Sequence, residues 1–485
     1  IDPIFPSVLQ DFEDFSVEER KVDIAIIGSG SAGLYALSKV RPSGKSWVLI
    51  NGGEPGTTCA RVGCMPSKAL IQVAEDYHRR TILGRYGVDG HEEMALDIPE
   101  AMEHVQDLRD TFVDRVLTNS TDDMGDEFVQ SYARFVEADL LETDDGQRIR
   151  AGRIIIATGS RPIVPDAWKA FSDRVITTDD VFEQEDLPES LAVIGMGTIG
   201  LELGQSMRRL GIEVTGFDQL DTLGGAQDPE VCACAKDILG KEFPIYLGYR
   251  AEISEAEDGK LRVTAGDASV VVDKVLAAMG RVPNLDNLGL ENLGAELGQR
   301  SIPVFDPNTM QVGNLPVFIA GDVTGERPVL HEAGDEGRIA GYNAVNDQVQ
   351  AFKRKVPLFI NFCDPNICIV GERFKDLDPA TTAIGQIKLA PVGRALIMGK
   401  NRGIIRIYAD KASGRLLGSE MITTKGENLA HLLAWSIQQE LTVGDLLRMP
   451  FYHPVIEEAM QAALYDLYSK VDKKNLGGIA ELIPV

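Results

Sequence analysis

Cys59 and Cys64 lie close together in Gly56-Thr57-Thr58-Cys59-Ala60-Arg61-Val62-Gly63-Cys64-Met65-Pro66-Ser67-Lys68. Two thiols at this spacing can form a disulfide that is opened and closed as chemistry. On an ideal α-helix, positions five apart point about 140° away from each other. A disulfide needs Cα atoms roughly 4.4–6.8 Å apart with converging Cβ vectors. Cys59 is therefore expected in a loop or a distorted first turn entering the next helix. Gly63 relieves the backbone there, and Pro66 fits only a helix's first turn. A helix start at Cys64 also favours its thiolate. A structural disulfide, or two buried thiols, is the alternative that the surrounding sequence has to exclude.

The elements around the pair supply that context. Lys21–Ile27 is an apolar, β-branched run suited to a central parallel strand. It runs into Gly28-Ser29-Gly30-Ser31-Ala32-Gly33, a helix-like stretch over 34–40, and a second strand over 46–50. Strand, glycine turn, helix and strand within about thirty residues form a dinucleotide fingerprint. The first glycine makes the turn, the second lets backbone approach a pyrophosphate, and the third packs helix on strand. Backbone N–H groups at the helix start then receive the phosphates. The pattern recurs: Leu191–Ile194 leads into Gly195-Met196-Gly197-Thr198-Ile199-Gly200, a helix through Leu210, and the strand Glu213–Asp218. Two dinucleotide folds and a dithiol pair in one chain point to FAD, a nicotinamide nucleotide and a thiol substrate.

Length and composition set bounds. A chain of 485 residues is too long for one core and should form two to four domains. A net charge of -26 argues against nucleic acid, which wants a basic face. No stretch approaches the roughly 18 apolar residues of a membrane span, and no signal-like segment precedes the first strand, so a cytoplasmic location is expected. The six cysteines fit a reducing compartment rather than a disulfide scaffold. Cys232-Ala233-Cys234 falls on a helix with no further ligand to complete a metal set, so no metal is expected, and Cys363 and Cys368 are read as structural.

Beyond the fingerprints and the thiols, Ala157-Thr158-Gly159-Ser160-Arg161-Pro162, Met279-Gly280-Arg281-Val282-Pro283-Asn284, and Ala320-Gly321-Asp322-Val323 followed by His331 and Gly337 complete a pattern. The chain resembles the flavoprotein disulfide reductases, most closely the dihydrolipoyl dehydrogenases, from Val22 to about Leu464. The resemblance implies an α/β fold with two Rossmann-like domains, binding FAD and NAD, and a C-terminal α+β dimerisation domain. The implied layout is an extension over 1–21, the FAD domain over 22–162 and 284–356, the NAD domain over 163–283, and the dimerisation domain over 357–485. It implies non-covalent FAD, one per subunit, held by Gly28, Gly30, Ser31, Gly33, Asn51, Lys68, Thr158, Gly159 and Asp322. NAD would meet Gly195, Gly197, Ile199, Gly200, Glu202, Asp218 and Gly280. Lys68 and Glu202 match a family ion pair near the reactive flavin nitrogen.

The resemblance also assigns the chemistry. Cys59 is the thiol that exchanges with substrate, and Cys64 is the thiolate against the flavin. His453, in His453-Pro454-Val455-Ile456-Glu457-Glu458, is the acid/base, with Glu458 rather than its neighbour Glu457 orienting it. In the family this histidine meets the thiols across a two-fold homodimer interface. The implied reaction oxidises protein-bound dihydrolipoyl groups and reduces NAD+. A glutathione-reductase-like enzyme and a catalytically silent flavin subunit are the alternatives. The implied partner is a lipoyl-bearing protein or a small disulfide, with neither nucleic acid nor membrane.

Branches of the family separate on residues. Mercuric reductases and large thioredoxin reductases carry a further thiol or selenol pair near the C-terminus, and no Cys follows Cys368 here. Asp218 ends its strand with no Arg or Lys nearby, which suits a ribose 2′-OH and repels a 2′-phosphate. Several residues depart from the pattern. Asn51 stands where the family has an acid, Thr57 where it has a glycine, and Phe451 and Val455 replace polar or smaller residues beside His453. A divergent branch is expected.

Overall fold

The structure is a computed structural model that describes residues 19–472 and Leu482. The sequence has an acidic run, Gln10-Asp11-Phe12-Glu13-Asp14-Phe15, which lies outside the described residues. The chain divides into two compact units, interleaved along the sequence.

The first unit takes the chain up to Thr57, Val116–Ser160 and Pro283–Phe352. Its sheet is built on β1 (Glu19–Ile27), which pairs in parallel with β2 (Trp47–Ile50) on one side and β3 (Arg148–Ile156) on the other. The strand Val317–Ile319 adds in parallel to β3, and Leu140–Thr143 and Ala133–Glu137 extend the sheet antiparallel. Ile24, Ile26, Ile155 and Phe318 are fully buried beneath helix α1 (Ser31–Val40) and helix Leu330–Val345. With both faces covered, the central strands read as unbroken apolar runs. Missing side chains set the helix spacing: a Cβ on Gly337 would lie 2.2 Å from Ala32 O. The sheet begins earlier than Val22. Glu19 pairs in register with Arg148 and binds Arg150 Nε at 2.7 Å, so residues 19–21 belong to the sheet rather than to an extension.

The second unit takes Thr58–Arg115, Arg161–Val282 and the chain from Lys353. The dithiol segment forms helix α2 (Thr58–Arg61) and helix α3 (Cys64–His78). The expected layout put these residues with the first fingerprint; by contact they group with the second unit. Leu70, Ala74, Met102 and Val105 share a core with Val193, Leu201 and Leu203, and Arg109 binds Glu183 at 2.7 Å. The segment therefore groups with the second fingerprint. That fingerprint is formed by β4 (Ser190–Ile194), helix α4 (Thr198–Arg209) and β5 (Glu213–Asp218) in a five-stranded parallel sheet. Helix α5 (Pro229–Leu239) carries Cys232 and Cys234, the first buried and the second half-buried.

The last third is an antiparallel sheet. In it β6 (Leu358–Asn361), β7 (Asn366–Gly371), β9 (Leu416–Thr423), β8 (Ile404–Asp410) and the strand Thr382–Lys388 lie side by side in that order. Strands β8 and β9 form an antiparallel hairpin. Helices α6 (Gly426–Gln438) and α7 (Glu457–Lys470) bury Leu429, Leu433, Ala463 and Leu467 against it, and Cys368 lies in the same core. Helix α7 starts at Glu457. The carboxylate of Glu458 accepts from Val455 N at 3.1 Å, which leaves His453 and Pro454 in a turn outside the helix. Among the described residues, no helix is long and apolar enough to cross a membrane.

Candidate active site

Cys59 occupies its own helical turn, α2, and Cys64 opens α3, so the two thiols escape the 140° divergence of one continuous helix. Gly63 makes the break. A Cβ there would lie 2.9 Å from Thr58 O and 3.3 Å from the Cα of Cys59. The missing side chain lets the second helix close on the first. The pair stands as two thiols hydrogen-bonded to each other, the reduced counterpart of the expected disulfide. Cys64 is lowered to about 7 by the hydrogen bond from Cys59 and by the Lys68 ammonium one turn along α3. Cys59 is pushed up by that same hydrogen bond and by burial. The proton of the singly ionised pair therefore belongs on Cys59 and the charge on Cys64, at a helix N-terminus.

The approach to α2 is strained. Gly56 has φ +107 and Thr57 φ +66. Left-handed backbone is disfavoured for a β-branched residue. That conformation accounts for the glycine which the family resemblance leads one to expect at position 57.

Lys68 Nζ binds Glu202 Oε2 at 2.7 Å, joining α3 to α4. Glu202 is only 4% exposed, and its other oxygen accepts from Phe362 N at 2.8 Å. The expected ion pair is thus present as geometry. Its third member, Phe362, was not foreseen.

The two glycine loops are near copies. A Cβ on Gly28 would lie 2.3 Å from Ala157 O and one on Gly33 1.9 Å from Gly28 O. The corresponding distances are 2.3 Å from Gly195 to Ala278 O and 1.8 Å from Gly200 to Gly195 O. Gly30 and Gly197, by contrast, have nothing within 4 Å of an added Cβ, and each caps its helix without a side-chain hydrogen bond. Ser31 and Ile199 lie in the first turns of those helices. At the ends of β2 and β5 the acceptors also correspond. Asn51 Oδ1 accepts from Ser29 N at 3.3 Å, and Asp218 Oδ2 accepts from Met196 N at 2.6 Å.

In the first unit, Asp322 follows Gly321 (φ +88) in a turn after the strand Val317–Ile319 and accepts from Ser160 Oγ at 3.0 Å. Thr158 Oγ1 donates to Asn284 O at 2.7 Å, and Asn284 N donates to Gly159 O at 3.0 Å. In the second unit, Ile163 N donates to Gly280 O at 3.1 Å. The segments 157–163 and 279–284 therefore pair with each other within each unit.

His453 Nδ1 is 2.8 Å from Glu458 Oε1. The Glu458 carboxyl is held below its ordinary range by that contact and by the N–H of Val455. The ring is 82% exposed, which leaves Nε2 for an incoming group. Glu458, not Glu457, is the orienting carboxylate in this geometry. The remaining four cysteines all have raised pKa values from burial. Among the described residues, no cluster of His, Cys, Asp or Glu could hold a metal ion.

A hydrogen-bonded dithiol, two nucleotide-type glycine loops and an exposed histidine on a carboxylate define a nucleotide-dependent dithiol–disulfide oxidoreductase. The pyridine nucleotide-disulphide oxidoreductase description matches residues 22–337, and that family's dimerisation domain matches residues 357–464. The chain belongs to this family. It is 30% identical to a mercuric reductase of Streptomyces lividans, covering 93% of this chain and 97% of that one. It is also 30% identical to a dihydrolipoyl dehydrogenase of Haloferax volcanii, covering 91% and 95%. The HOCl-induced flavoprotein disulfide reductase RclA of Escherichia coli, solved as a Cu(II) complex, has the same fold (TM-score 0.80, 22% identity, 93% and 99% covered).

The family contains FAD and binds NAD(P). The residues present fit both groups: Gly30 and Gly197 leave open space where a pyrophosphate must approach, and each helix start has uncapped N–H groups.

Proposed function

We propose that the enzyme oxidises the dithiol of a dihydrolipoyl group to its cyclic disulfide and reduces NAD+ to NADH. The observation that carries this reading is the dithiol itself, with the charge assigned to Cys64 and the proton to Cys59. In the oxidised enzyme, a substrate thiolate attacks Sγ of Cys59. The Cys59–Cys64 bond breaks, and Cys64 leaves as a thiolate, which a pKa near neutrality favours. The second substrate sulfur then attacks the mixed disulfide, closing the lipoyl ring and releasing Cys59. His453 takes the substrate's protons at Nε2 while Glu458 fixes its other nitrogen. FAD, when bound, carries the two electrons from the thiol pair to the nucleotide. Asp218 selects NAD+ by accepting from its ribose. The exposed setting of His453 supports a homodimer in which each subunit lends this side chain to the other's thiols.

The test is to compare NAD+ reduction by dihydrolipoamide with NADH- and NADPH-driven reduction of lipoamide, glutathione disulfide and Hg(II). Fast NAD+ reduction by dihydrolipoamide supports the proposal. Activity confined to glutathione disulfide or Hg(II) rejects it.

A further inference from the structure

Helix α4 places three polar side chains on one face at helical spacing, Glu202, Gln205 and Arg209, and each is less than a tenth exposed. All three hold the turn between β6 and β7. Glu202 accepts from Phe362 N at 2.8 Å. Gln205 clamps Asp364 from both sides, accepting from its N at 2.7 Å and donating to its O at 2.8 Å. Arg209 binds the Asp364 carboxylate at 3.2 Å. So firm an anchor fixes Phe362, whose ring meets the dithiol helix at Lys68. The ring of Phe362 lies 4.6 Å from Lys68 Nζ, with the ammonium over its face.

We propose that Phe362 is a positioning residue for the dithiol, its ring and its N–H holding Lys68 and Glu202 as one unit a helical turn from Cys64. An aromatic face attracts an ammonium without neutralising it. Lys68 is thereby kept from swinging into solvent, although a third of its side chain is exposed, and its charge stays where it acts on Cys64. The groups that face Cys64 are the Cys59 thiol from α2, Lys68 from its own helix and Glu202 from α4. Glu202 opposes the thiolate, so the ring's hold on the cation decides the balance. The inference rests on Cys64 as the thiolate of the proposed mechanism.

The experiment follows alkylation of Cys64 by iodoacetamide against pH in the flavin-containing Cys59→Ser protein, read by mass spectrometry of the Cys64 peptide. Serine keeps a hydroxyl donor beside Cys64. The parent rate should rise through a midpoint near neutrality. Phe362→Leu, which keeps bulk but loses the π face, should slow alkylation at pH 6 about threefold and move the midpoint upward. Phe362→Tyr, which retains a π face, should restore the parent profile; Leu and Tyr variants that behave alike would overturn the role of the ring. An unchanged profile in Phe362→Leu, with a parent midpoint still near neutrality, rejects the proposal and leaves the assignment of Cys64 standing. A parent midpoint at the ordinary thiol value of about 8.5 rejects both.

Discussion

Asp218 Oδ2 accepts a hydrogen bond from the backbone N of Met196 at 2.6 Å, so the carboxylate proposed to meet the nucleotide also closes the glycine loop beneath it. Its other oxygen accepts from Leu220 N at 2.8 Å. The side chain is thus fixed before any ligand arrives, and its negative charge is presented at the strand end. NAD(H) should exceed NADP(H) by more than about tenfold in kcat/KM. Asp218→Asn should narrow that ratio while the loop bond survives through the amide oxygen. Steady-state rates with both nucleotides decide it, and equal efficiency in the parent enzyme would reject the assignment.

The roles of the two thiols can be read spectroscopically. Cys59→Ser should keep a long-wavelength absorption band in the flavin-loaded protein, because Cys64 is then a lone thiolate. Cys64→Ser should lack it. As pH falls, the band of Cys59→Ser should fade, since the Cys64 thiolate then picks up a proton. The reverse pattern between the two variants would mean that the roles are exchanged.

His453→Gln should lower dithiol oxidation by about 10²- to 10⁴-fold, the range for loss of a general base. Glu458→Gln should lose less, because the ring survives without its orienting charge. Mixing Cys64→Ser subunits with His453→Gln subunits tests whether the site is shared. Verified heterodimers should regain close to half of the parent activity if the base and the thiols come from different chains. Persistent inactivity would place them in one chain.

Asp364 offers a test of stability against pH. Burial works to raise its pKa, but the charges of Lys400 and Arg209 outweigh burial and hold it below the ordinary carboxylate range. A depressed folded-state pKa gives stability that is present above the unfolded value near 3.9 and is lost as pH falls through the folded one. Asp364→Asn should cost about 2 kcal/mol at neutral pH in denaturant titrations, and the gap to the parent should shrink in acid. A gap independent of pH would remove the ion pair as the cause.

Much of this site was legible because its chemistry is local in sequence. The glycine loops, the thiol pair and the His453–Glu458 spacing each lie within a dozen residues, and each folds as its spacing requires. Long-range partners were not legible. Phe362 reaches Glu202 and Lys68 from far along the chain, and only the buried spacing of Glu202, Gln205 and Arg209 on one helix hints that something must satisfy them. The packing partners of 58–115 were hidden for the same reason. Adjacency to the first fingerprint suggested one partner, while Leu70 and Met102 pack with Val193 and Leu201.

The interleaving of the two units bears on how the protein is made. The sheet of the first unit takes β1 early, β3 later, and then the strand Val317–Ile319, with Asp322 just beyond it. At bacterial or eukaryotic elongation speeds of about 5–20 residues per second, β1 must wait on the order of fifteen seconds or more for that last strand to leave the ribosome. Meanwhile the dithiol helices have emerged without the strand β4 they pack on. Neither unit can close domain by domain behind the exit tunnel. Nascent chains of this protein therefore expose two unfinished cores at once, and their yield should depend on chaperone supply during synthesis more than on the strength of the finished fold.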